Sequence, residues 1–168
     1  TGSASCHYDG MQIVKNVPSL GYILGDEGSG AVIGRALVNE LFKGDLPSEI
    51  YDSFIKICPN GVSDVLQRVY KEPFPNRFLA SLVSSVVAPH RDNPEIQKLL
   101  KAEFDKFFDR NIRHYAVPDL PIGFVGGLAF HFEKELRDVA SEKGYRVAQV
   151  LNNPLEGLCK MYLEGILK

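Results

Sequence analysis

One stretch near the start of the chain, Gly21 to Arg35 (GYILGDEGSGAVIGR), constrains the fold more than any other. A short apolar run ends at Leu24, a glycine-bracketed acidic pair follows, and helical apolar spacing begins after Gly30. The glycines allow the backbone to turn sharply and to approach a ligand closely, and the peptide N–H groups of the next helix would point into this turn. Asp26 can accept hydrogen bonds from several hydroxyl groups at once. The stretch therefore predicts a polar binding corner, but it does not indicate what is bound.

The composition is that of an ordinary globular domain. The chain has 168 residues, of which 45% are hydrophobic and 24% charged, and this length predicts one domain. A net charge of −2 gives no electrostatic footprint for nucleic acid or a membrane, so we expect neither as a partner. The longest uncharged run near the middle, Phe78 to Pro89, is too short to span a bilayer and predicts a buried helix.

The cysteines indicate a reducing compartment. Cys6, Cys58 and Cys159 form no CxxC motif, and their odd number argues against a disulfide framework. We therefore expect a cytoplasmic protein. The chain opens on a loop-like Thr1-Gly2-Ser3 without an initiator methionine, so we also expect it to be a C-terminal piece of a longer protein.

The first half of the chain predicts a hairpin followed by helices. Asp9-Gly10 lies between two short runs, 4–9 and 11–17, that are rich in β-branched and aromatic residues, which is typical of a β-hairpin. Helical spacing then runs from Val32 to Leu41 and ends at Gly44. The pattern from 46 to 116 is helical throughout, and predicts helices over 48–57, 62–71, 76–88 (capped by Asn76) and from Asn93-Pro94 to about 112.

The last 50 residues predict a βαβ unit. Pro121 to Val125 is expected as a buried strand, Gly126-Gly127 as a turn, Leu128 to Lys143 as a helix that ends before Gly144, and Tyr145 to Leu151 as a second strand. Such strands are parallel, with a right-handed crossover. A final helix is expected from Asn153-Pro154 to the end of the chain.

Common catalytic motifs are missing from the sequence. It contains no Walker A motif, no HExxH and no GxSxG, and the histidines show no metal-ligand spacing. The GSGAVIG segment at 28–34 looks like a dinucleotide fingerprint, but no second strand with an acidic end follows at about 20 residues, as that fold requires. Gly126-Gly127 is a place where a phosphate or nucleoside could touch the backbone, although close strand–helix packing also selects glycine.

Four segments in order carry a resemblance to a known family. They are Thr1-Gly2-Ser3 before a hairpin, the Gly-Asp-Glu-Gly-Ser stretch at 25–29, Asn76-Arg77-Phe78 within the helical region, and Phe124-Val125-Gly126-Gly127. Together they resemble the C-terminal lobe of N-acetylglucosamine kinases, in the BadF/BadG/BcrA/BcrD-type ATPase family of the sugar kinase, Hsp70 and actin superfamily. The resemblance covers essentially the whole chain.

The resemblance implies an α/β fold. It is a ribonuclease H-like lobe of the actin-like ATPase fold, with a mixed sheet, an N-terminal hairpin, a C-terminal βαβ unit and a large helical insert at about 46–116. Residues 1–168 would then be a single C-terminal lobe, and the N-terminal lobe would be absent.

The resemblance also implies the roles of particular residues in binding ATP and Mg²⁺ and an amino sugar. Thr1 and Gly2 would hold the terminal phosphates, and Leu79 would lie near the nucleotide. Gly126 and Gly127, with Leu128 to Phe130 behind them, would form an adenosine loop. The residues expected to contact the sugar are Ser3, Ala4, Gly21 and Asp26, of which Asp26 accepts hydroxyl hydrogen bonds.

The family's first phosphate loop and its catalytic aspartate lie in the other lobe, so we expect no catalytic residue and no protein metal ligand in this chain. Phosphoryl transfer depends on positioning and charge stabilisation across the whole cleft. The intact parent is therefore expected to be an amino-sugar kinase, and this chain alone to be inactive or nearly so.

Two alternatives stay open. One is an ATPase activator of the 2-hydroxyacyl-CoA dehydratase type, which needs cysteines at a subunit interface for an iron–sulfur cluster. The other is a non-catalytic lobe that forms a homodimer, for which Phe104, Phe107 and Phe108 would supply an apolar face. The lack of paired cysteine spacing argues against the activator. The non-catalytic lobe is compatible with a kinase.

Overall fold

The computed structural model describes residues 1–44 and 46–163 and divides the chain into two compact units. The first unit is Thr1–Ala116 and the second begins at Val117. Both α-helices and short β-strands are present, so the predicted α/β class is confirmed. The single lobe over 1–168 stays a prediction, and each unit is described by itself.

The first unit opens with the predicted β-hairpin. Strands β1 (Ser5–Tyr8) and β2 (Ile13–Val17) pair antiparallel, with an irregularity between His7 and Tyr8. The Asp9 side chain closes the turn by accepting hydrogen bonds of 2.8 Å from the backbone N–H groups of Met11 and Gln12. These bonds from Gln12 and Met11 stabilise the carboxylate and lower the pKa of Asp9.

Six α-helices follow in the described part of the first unit. The helical character predicted for 46–116 is confirmed, and two segments of other helical geometry interrupt it: a π-helical turn at Val83–Val87 and a 3₁₀ turn at Ala88–His90. A further 3₁₀ turn, Ile112–Tyr115, follows the last helix. The α-helices are α1 (Gly21–Leu24), α2 (Gly30–Lys43), α3 (Ser48–Ile55), α4 (Val62–Tyr70), α5 (Pro75–Leu82) and α6 (Pro94–Arg110).

The helix predicted over 76–88 is corrected by the structure. It begins at Pro75, after Phe74 in a left-handed conformation with φ 59°, so Asn76 is inside the helix and does not cap it. The α-helical pattern also stops at Leu82 and gives way to the π-helical and 3₁₀ turns. Pro89 has no N–H to donate, so the i→i−4 hydrogen bond of an α-helix cannot form at this position.

The start of α6 agrees with the prediction. Asn93 caps the helix by accepting a 2.9 Å hydrogen bond from the backbone N–H of Glu95, and Pro94 is the first helical residue. The predicted apolar side of α6 is buried, and Phe104, Phe107 and Phe108 are all at most 8% exposed. These three rings therefore belong to the core of the unit and offer no face to a second copy, which corrects that part of the dimer hypothesis.

The core of the first unit lies where α2 packs against α5 and against α6. Gly34 brings α2 against the backbone of α5, because a β-carbon at position 34 would lie only 1.9 Å from the carbonyl oxygen of Leu79. The completely buried side chains of this unit include Ile33, Leu37, Ile50, Phe54, Cys58, Leu82, Val86, Val87, Ile96, Leu100 and Phe108. Tyr115 anchors the hairpin, since its hydroxyl accepts a 3.1 Å hydrogen bond from the backbone N–H of Val17.

The second unit contains the predicted βαβ pattern. Strands β3 (Ile122–Val125) and β4 (Val147–Leu151) pair in parallel, which confirms the expected strand direction. The helices are α7 (Gly127–His131), α8 (Glu133–Glu142) and α9 (Leu155–Leu163). Arg137 ties α8 to β4 by donating a 2.7 Å hydrogen bond to the carbonyl oxygen of Val147.

Two predictions about this unit and its sheet need correction, and a third falls partly outside the described residues. The helix expected over 128–143 is broken at Phe132 (φ −108°, ψ 33°), whose side chain is only 1% exposed. The strands form two two-stranded sheets and not one mixed sheet, because the described backbone partners of β1 lie on β2 and those of β3 on β4. The final helix was expected to reach the chain end, but its last five residues lie outside the described residues.

None of the helices in the described part of the chain is long and apolar enough to cross a membrane.

Candidate functional site

The first three residues of the chain pack against the acidic corner that was predicted from the sequence. The carbonyl oxygen of Thr1 accepts a 3.4 Å hydrogen bond from the N–H of Ala31 in the first turn of α2. The Ser3 hydroxyl donates a 2.8 Å hydrogen bond to the carbonyl oxygen of Glu27. A β-carbon on Gly2 would lie 2.9 Å from Asp26 Oδ2. The structure thus brings three of the predicted site residues next to Asp26, and exposed Ala4 follows them.

Close contacts explain why glycine is needed on both sides of this corner. A β-carbon on Gly25 would lie 2.0 Å from the carbonyl oxygen of Ser19, which accepts a 2.8 Å hydrogen bond from the N–H of Asp26. Gly28 has φ +70°, and a β-carbon there would lie 3.0 Å from the β-carbon of Phe107. A side chain at Gly25 would clash with Ser19, and one at Gly28 would crowd Phe107, so either would displace the corner.

Asp26 itself adopts an uncommon backbone conformation. Its φ is +53°, a left-handed value that aspartate tolerates better than most residues. Its carbonyl oxygen accepts a 3.0 Å hydrogen bond from the N–H of Ser29, and the Ser29 hydroxyl in turn caps α2 by accepting from the N–H of Val32. The start of α2 therefore fixes the position of Asp26.

The carboxylate of Asp26 is nearly buried and has acceptor capacity to spare. The residue is 8% exposed, and no described residue donates a hydrogen bond to its side chain. Glu103 Oε2 is the one side-chain oxygen in the described chain that is both sealed from water and unpaired. The oxygens of Asp26 therefore keep some access to solvent, and to the hydroxyl groups of a ligand.

Gly21 lies at the start of α1, close to this corner in sequence. Its φ is +74°, and a β-carbon there would meet nothing within 4 Å, so its backbone faces open space. Arg35 steadies the short helix that follows, because its guanidinium donates to the carbonyl oxygens of Tyr22 (3.2 Å) and Ile23 (3.5 Å).

A cavity of 710 Å³ opens beside the corner. It is lined by the segment that leaves the hairpin, 17–20, by Gly25 and Glu27, and by the end of α6 with the 3₁₀ turn after it. The Glu27 carboxylate accepts a 3.3 Å hydrogen bond from the side-chain amide of Asn111 at this wall. Neither Gly21 nor Asp26 lines the cavity.

Sequence reasoning missed the basic and amide residues of this wall. Lys106, Arg110, Asn111 and Arg113 come from α6 and the turn that follows it, about 80 residues after the corner. The sequence pattern separates the apolar and polar sides of α6, but it cannot show that the end of the polar side faces Glu27.

Leu79 is in a different environment from the corner. Its side chain is 4% exposed within the core, and its carbonyl oxygen packs against Gly34 of α2. Little of the residue is open to a nucleotide in this arrangement, and its role near ATP stays a prediction.

Gly126 and Gly127 lie in the second unit, at the turn between β3 and α7. Gly126 has φ +137°, donates a 2.8 Å hydrogen bond to the carbonyl oxygen of Leu151, and would meet nothing within 4 Å if it carried a β-carbon. A β-carbon on Gly127 would lie 3.5 Å from the side-chain oxygen of Asn152. The backbone of this turn is therefore open at Gly126, and the role of the two glycines in an adenosine loop stays a prediction.

The described residues include no group of three or more histidine, cysteine or acidic side chains placed to hold a metal ion. Cys6, Cys58 and Cys159 are free thiols, of which only Cys58 is buried. His90 shares a 2.8 Å hydrogen bond with the hydroxyl of Ser53, which also donates to the carbonyl oxygen of Glu49.

The structure is similar to a solved structure over almost its whole length. No family model matches the chain, and no curated protein matches it. A crystal structure of the "Putative N-acetylglucosamine Kinase" from Porphyromonas gingivalis matches with a TM-score of 0.93 and 42% sequence identity. The match covers 99% of this chain and 58% of that one. The chain is thus similar to part of a sugar-kinase-like protein and spans little more than half of its neighbour's length.

Proposed function

We propose that this chain is the C-terminal part of an ATP-dependent amino-sugar kinase, of the class that phosphorylates the 6-hydroxyl of N-acetylglucosamine. The observation that carries the proposal is the similarity to the kinase-like neighbour, at 42% identity over 99% of this chain. In the proposal the chain is a ribonuclease H-like lobe from the BadF/BadG/BcrA/BcrD-type ATPase family and acts in the cytoplasm, as part of a homodimer.

The acidic corner is the proposed sugar site. Hydroxyl groups of a sugar need acceptors, and the Asp26 carboxylate has acceptor capacity that no described residue uses. Ser3 and Ala4, beside Gly2, would line the same side of the corner, and Gly21 would offer open backbone. A hydrogen bond to a charged group contributes about 1.5–3 kcal/mol, so Asp26 would supply much of the specificity for a hydroxylated ligand.

ATP, with its Mg²⁺, is the proposed second substrate. Thr1 and Gly2 would contact the terminal phosphates, and Gly126 and Gly127 would contact the adenosine; the backbone of Gly126 faces open space. Transfer also needs a general base on the sugar hydroxyl and charge stabilisation from a second phosphate loop. We propose that both belong to an N-terminal lobe.

The experiment joins this chain to the part of the P. gingivalis neighbour that it does not span, and measures ADP release with ATP and Mg²⁺. N-acetylglucosamine, N-acetylmuramic acid, glucosamine and glucose are compared. We expect turnover that depends on an amino sugar, and no turnover from the 168-residue chain alone. Hydrolysis that ignores every sugar would reject the kinase proposal and favour the activator-type ATPase.

A binding measurement on this chain alone tests the sugar site even if the chimera does not fold. Saturation-transfer NMR on the 168-residue chain detects weak sugar contacts directly. We expect transfer to N-acetylglucosamine from the chain and its loss in Asp26→Asn, with circular dichroism unchanged. Equal transfer in both proteins would place the sugar away from the corner.

A further inference from the structure

A second polar pocket lies between α2 and α6, and we call it the α2–α6 pocket. Its volume is 470 Å³, and the end of α1 and the Gly25–Glu27 corner close one side of it. Asp26 does not line it. The polar and charged side chains contributed by the two long helices are Arg35, Asn39 and Glu40 from α2 and Glu103, Lys106 and Arg110 from α6.

The α6 side of this pocket is a single helical face. Glu103, Lys106 and Arg110 are spaced i, i+3 and i+7, which places them one above another along the helix. At 1.5 Å per residue, the backbones of Glu103 and Arg110 are about 10 Å apart along the axis. An acidic group and a basic group therefore lie at two ends of a face that is long enough for a small ligand.

Glu103 has one buried carboxylate oxygen without a hydrogen-bond partner among the described residues. The residue is 4% exposed, and its Oε1 atom accepts a 2.6 Å hydrogen bond from Lys106 Nζ. Its Oε2 atom is sealed from water and has no hydrogen-bond partner in the described part of the chain. An unsatisfied buried acceptor costs about 1–3 kcal/mol, and more when it is charged. Such atoms require an explanation, and a ligand or a trapped water that donates to them is one.

Arg110, by contrast, is a cation without an anionic partner among the described residues. Its side chain is exposed, lines both the 710 Å³ cavity and the α2–α6 pocket, and forms no hydrogen bond or ion pair with any described residue. Arg35 is in a different position, since it already donates to the end of α1. Arg110 is therefore the cation of this pocket that is free to bind an anionic group.

We propose that the α2–α6 pocket binds a small molecule that carries both an anionic group, for Arg110, and a hydroxyl or ammonium donor, for Glu103. Sugar phosphates and amino-sugar phosphates have this chemistry at the right scale. Exposed Lys106 lies between the two ends and donates to Oε1, so Oε2 is the oxygen of Glu103 left for the donor of the ligand. The proposal concerns a pocket that Asp26 does not line, so it does not depend on the kinase proposal.

The test compares a ligand that carries both the anionic group and the donor with ligands that carry only one of them. Isothermal titration calorimetry on the 168-residue chain compares glucosamine 6-phosphate, which carries both groups, with glucosamine and with inorganic phosphate, which carry one each. We expect glucosamine 6-phosphate to bind at least about tenfold more tightly than either, as one charge-assisted hydrogen bond would give. Equal affinity for glucosamine 6-phosphate and inorganic phosphate, or no binding at millimolar concentration, would overturn the proposal and leave a trapped water as the partner of Glu103.

Variants locate the site. Arg110→Gln, at an exposed position, should remove the advantage of glucosamine 6-phosphate over glucosamine. Ala36→Leu adds three carbon atoms to the wall of the α2–α6 pocket, which Ala36 lines and the larger cavity does not share, and should weaken binding. Lys98→Gln changes a basic residue of α6 outside both cavities and should have no effect.

Arg113→Gln is the matched control for position, since Arg113 lines only the larger cavity. Loss of binding in Arg113→Gln without loss in Ala36→Leu would move the ligand to that cavity and overturn the proposal. Glu103→Gln should reduce the discrimination against inorganic phosphate. Because position 103 is buried, its folding is checked first by circular dichroism.

Discussion

Gly2 lies directly against the carboxylate of Asp26, since a β-carbon at position 2 would be 2.9 Å from Oδ2. No other residue type fits there without moving the carboxylate. The contact joins the first residues of the chain to the corner that begins some 20 residues later, and it makes the two segments one surface.

The first prediction concerns this contact and Asp26. Asp26→Asn keeps the size of the side chain but replaces one acceptor oxygen by a donor group, so it should weaken sugar binding by about 10- to 100-fold, as expected for a lost hydrogen bond to a charged group. Because Asp26 is proposed to bind and not to transfer a proton, KM for the sugar should rise more than kcat falls. Steady-state kinetics of the chimera checks this, and a collapse of kcat at unchanged KM would make Asp26 catalytic.

Gly2→Ala is the companion variant. It should shift the Asp26 carboxylate and raise KM by a smaller factor, while the free energy of unfolding stays close to that of the parent because the new methyl group meets only the end of a side chain. Urea unfolding measures the second quantity. A large loss of stability would mean that the contact is structural.

The second prediction concerns the packing of α2 on α5. Gly34→Ala would place a methyl group 1.9 Å from the carbonyl oxygen of Leu79, which is backbone and cannot rotate away. We expect the unfolding free energy to fall by about 1–3 kcal/mol, as overpacking usually costs. Asn39→Ala, on an exposed part of the same helix, is the control and should leave stability equal or slightly higher. Equal midpoints for the two variants in urea would show that the helices separate at little cost.

Local sequence signals predicted much of the fold. Asp9-Gly10, Asn93-Pro94 and Gly144 each mark a turn or helix end that depends on neighbouring residues alone, and all three are where they were expected. The errors arose where a longer-range interaction or a backbone detail decides the outcome. Pro89 was recognised within an apolar run, but the π-helical turn before it was not predicted. The break at Phe132 has no signal in the apolar spacing.

The candidate site likewise has a part that the sequence predicts and a part that it does not. Asp26 and its flanking glycines are a local pattern, so their corner could be predicted from the sequence. Glu103 and Arg110 could not, because on the sequence they are ordinary charges of an amphipathic helix. Only the packing of α6 against α2 buries the first and leaves the second without a partner among the described residues.

The third prediction concerns the cap of α6. Asn93→Ala removes the acceptor for the N–H of Glu95 and should lower the unfolding free energy by about 1 kcal/mol. Asn93→Asp keeps an acceptor at the same place and should restore most of this loss. Denaturant midpoints of the three proteins check the prediction, and an Asp variant as unstable as the Ala variant would argue against capping.

The fourth prediction concerns pH. The folded pKa of Asp9 lies below the ordinary value of 3.8, because Gln12 and Met11 donate backbone hydrogen bonds to its carboxylate. The stabilisation is therefore present above pH 3.8 and is lost as the pH falls through the folded pKa. The difference in melting temperature between the parent and Asp9→Asn should be constant near neutral pH and should shrink below pH 3.8. If the difference in melting temperature grew on acidification, folding would raise the pKa of Asp9 and not lower it.

The fifth prediction concerns the thiols. Burial raises the pKa of Cys58, since desolvation disfavours its thiolate, whereas Cys6 and Cys159 are exposed. The thiolate is the reactive species, so an excess of a chromogenic disulfide reagent at pH 8 should modify two thiols rapidly and the third only as the first unit unfolds. In Cys58→Ser the slow phase should vanish while the fast amplitude stays the same. Urea should accelerate the slow phase of the parent in step with unfolding, and a third thiol that reacts at the rate of the other two in native buffer would show that the region after α3 opens readily.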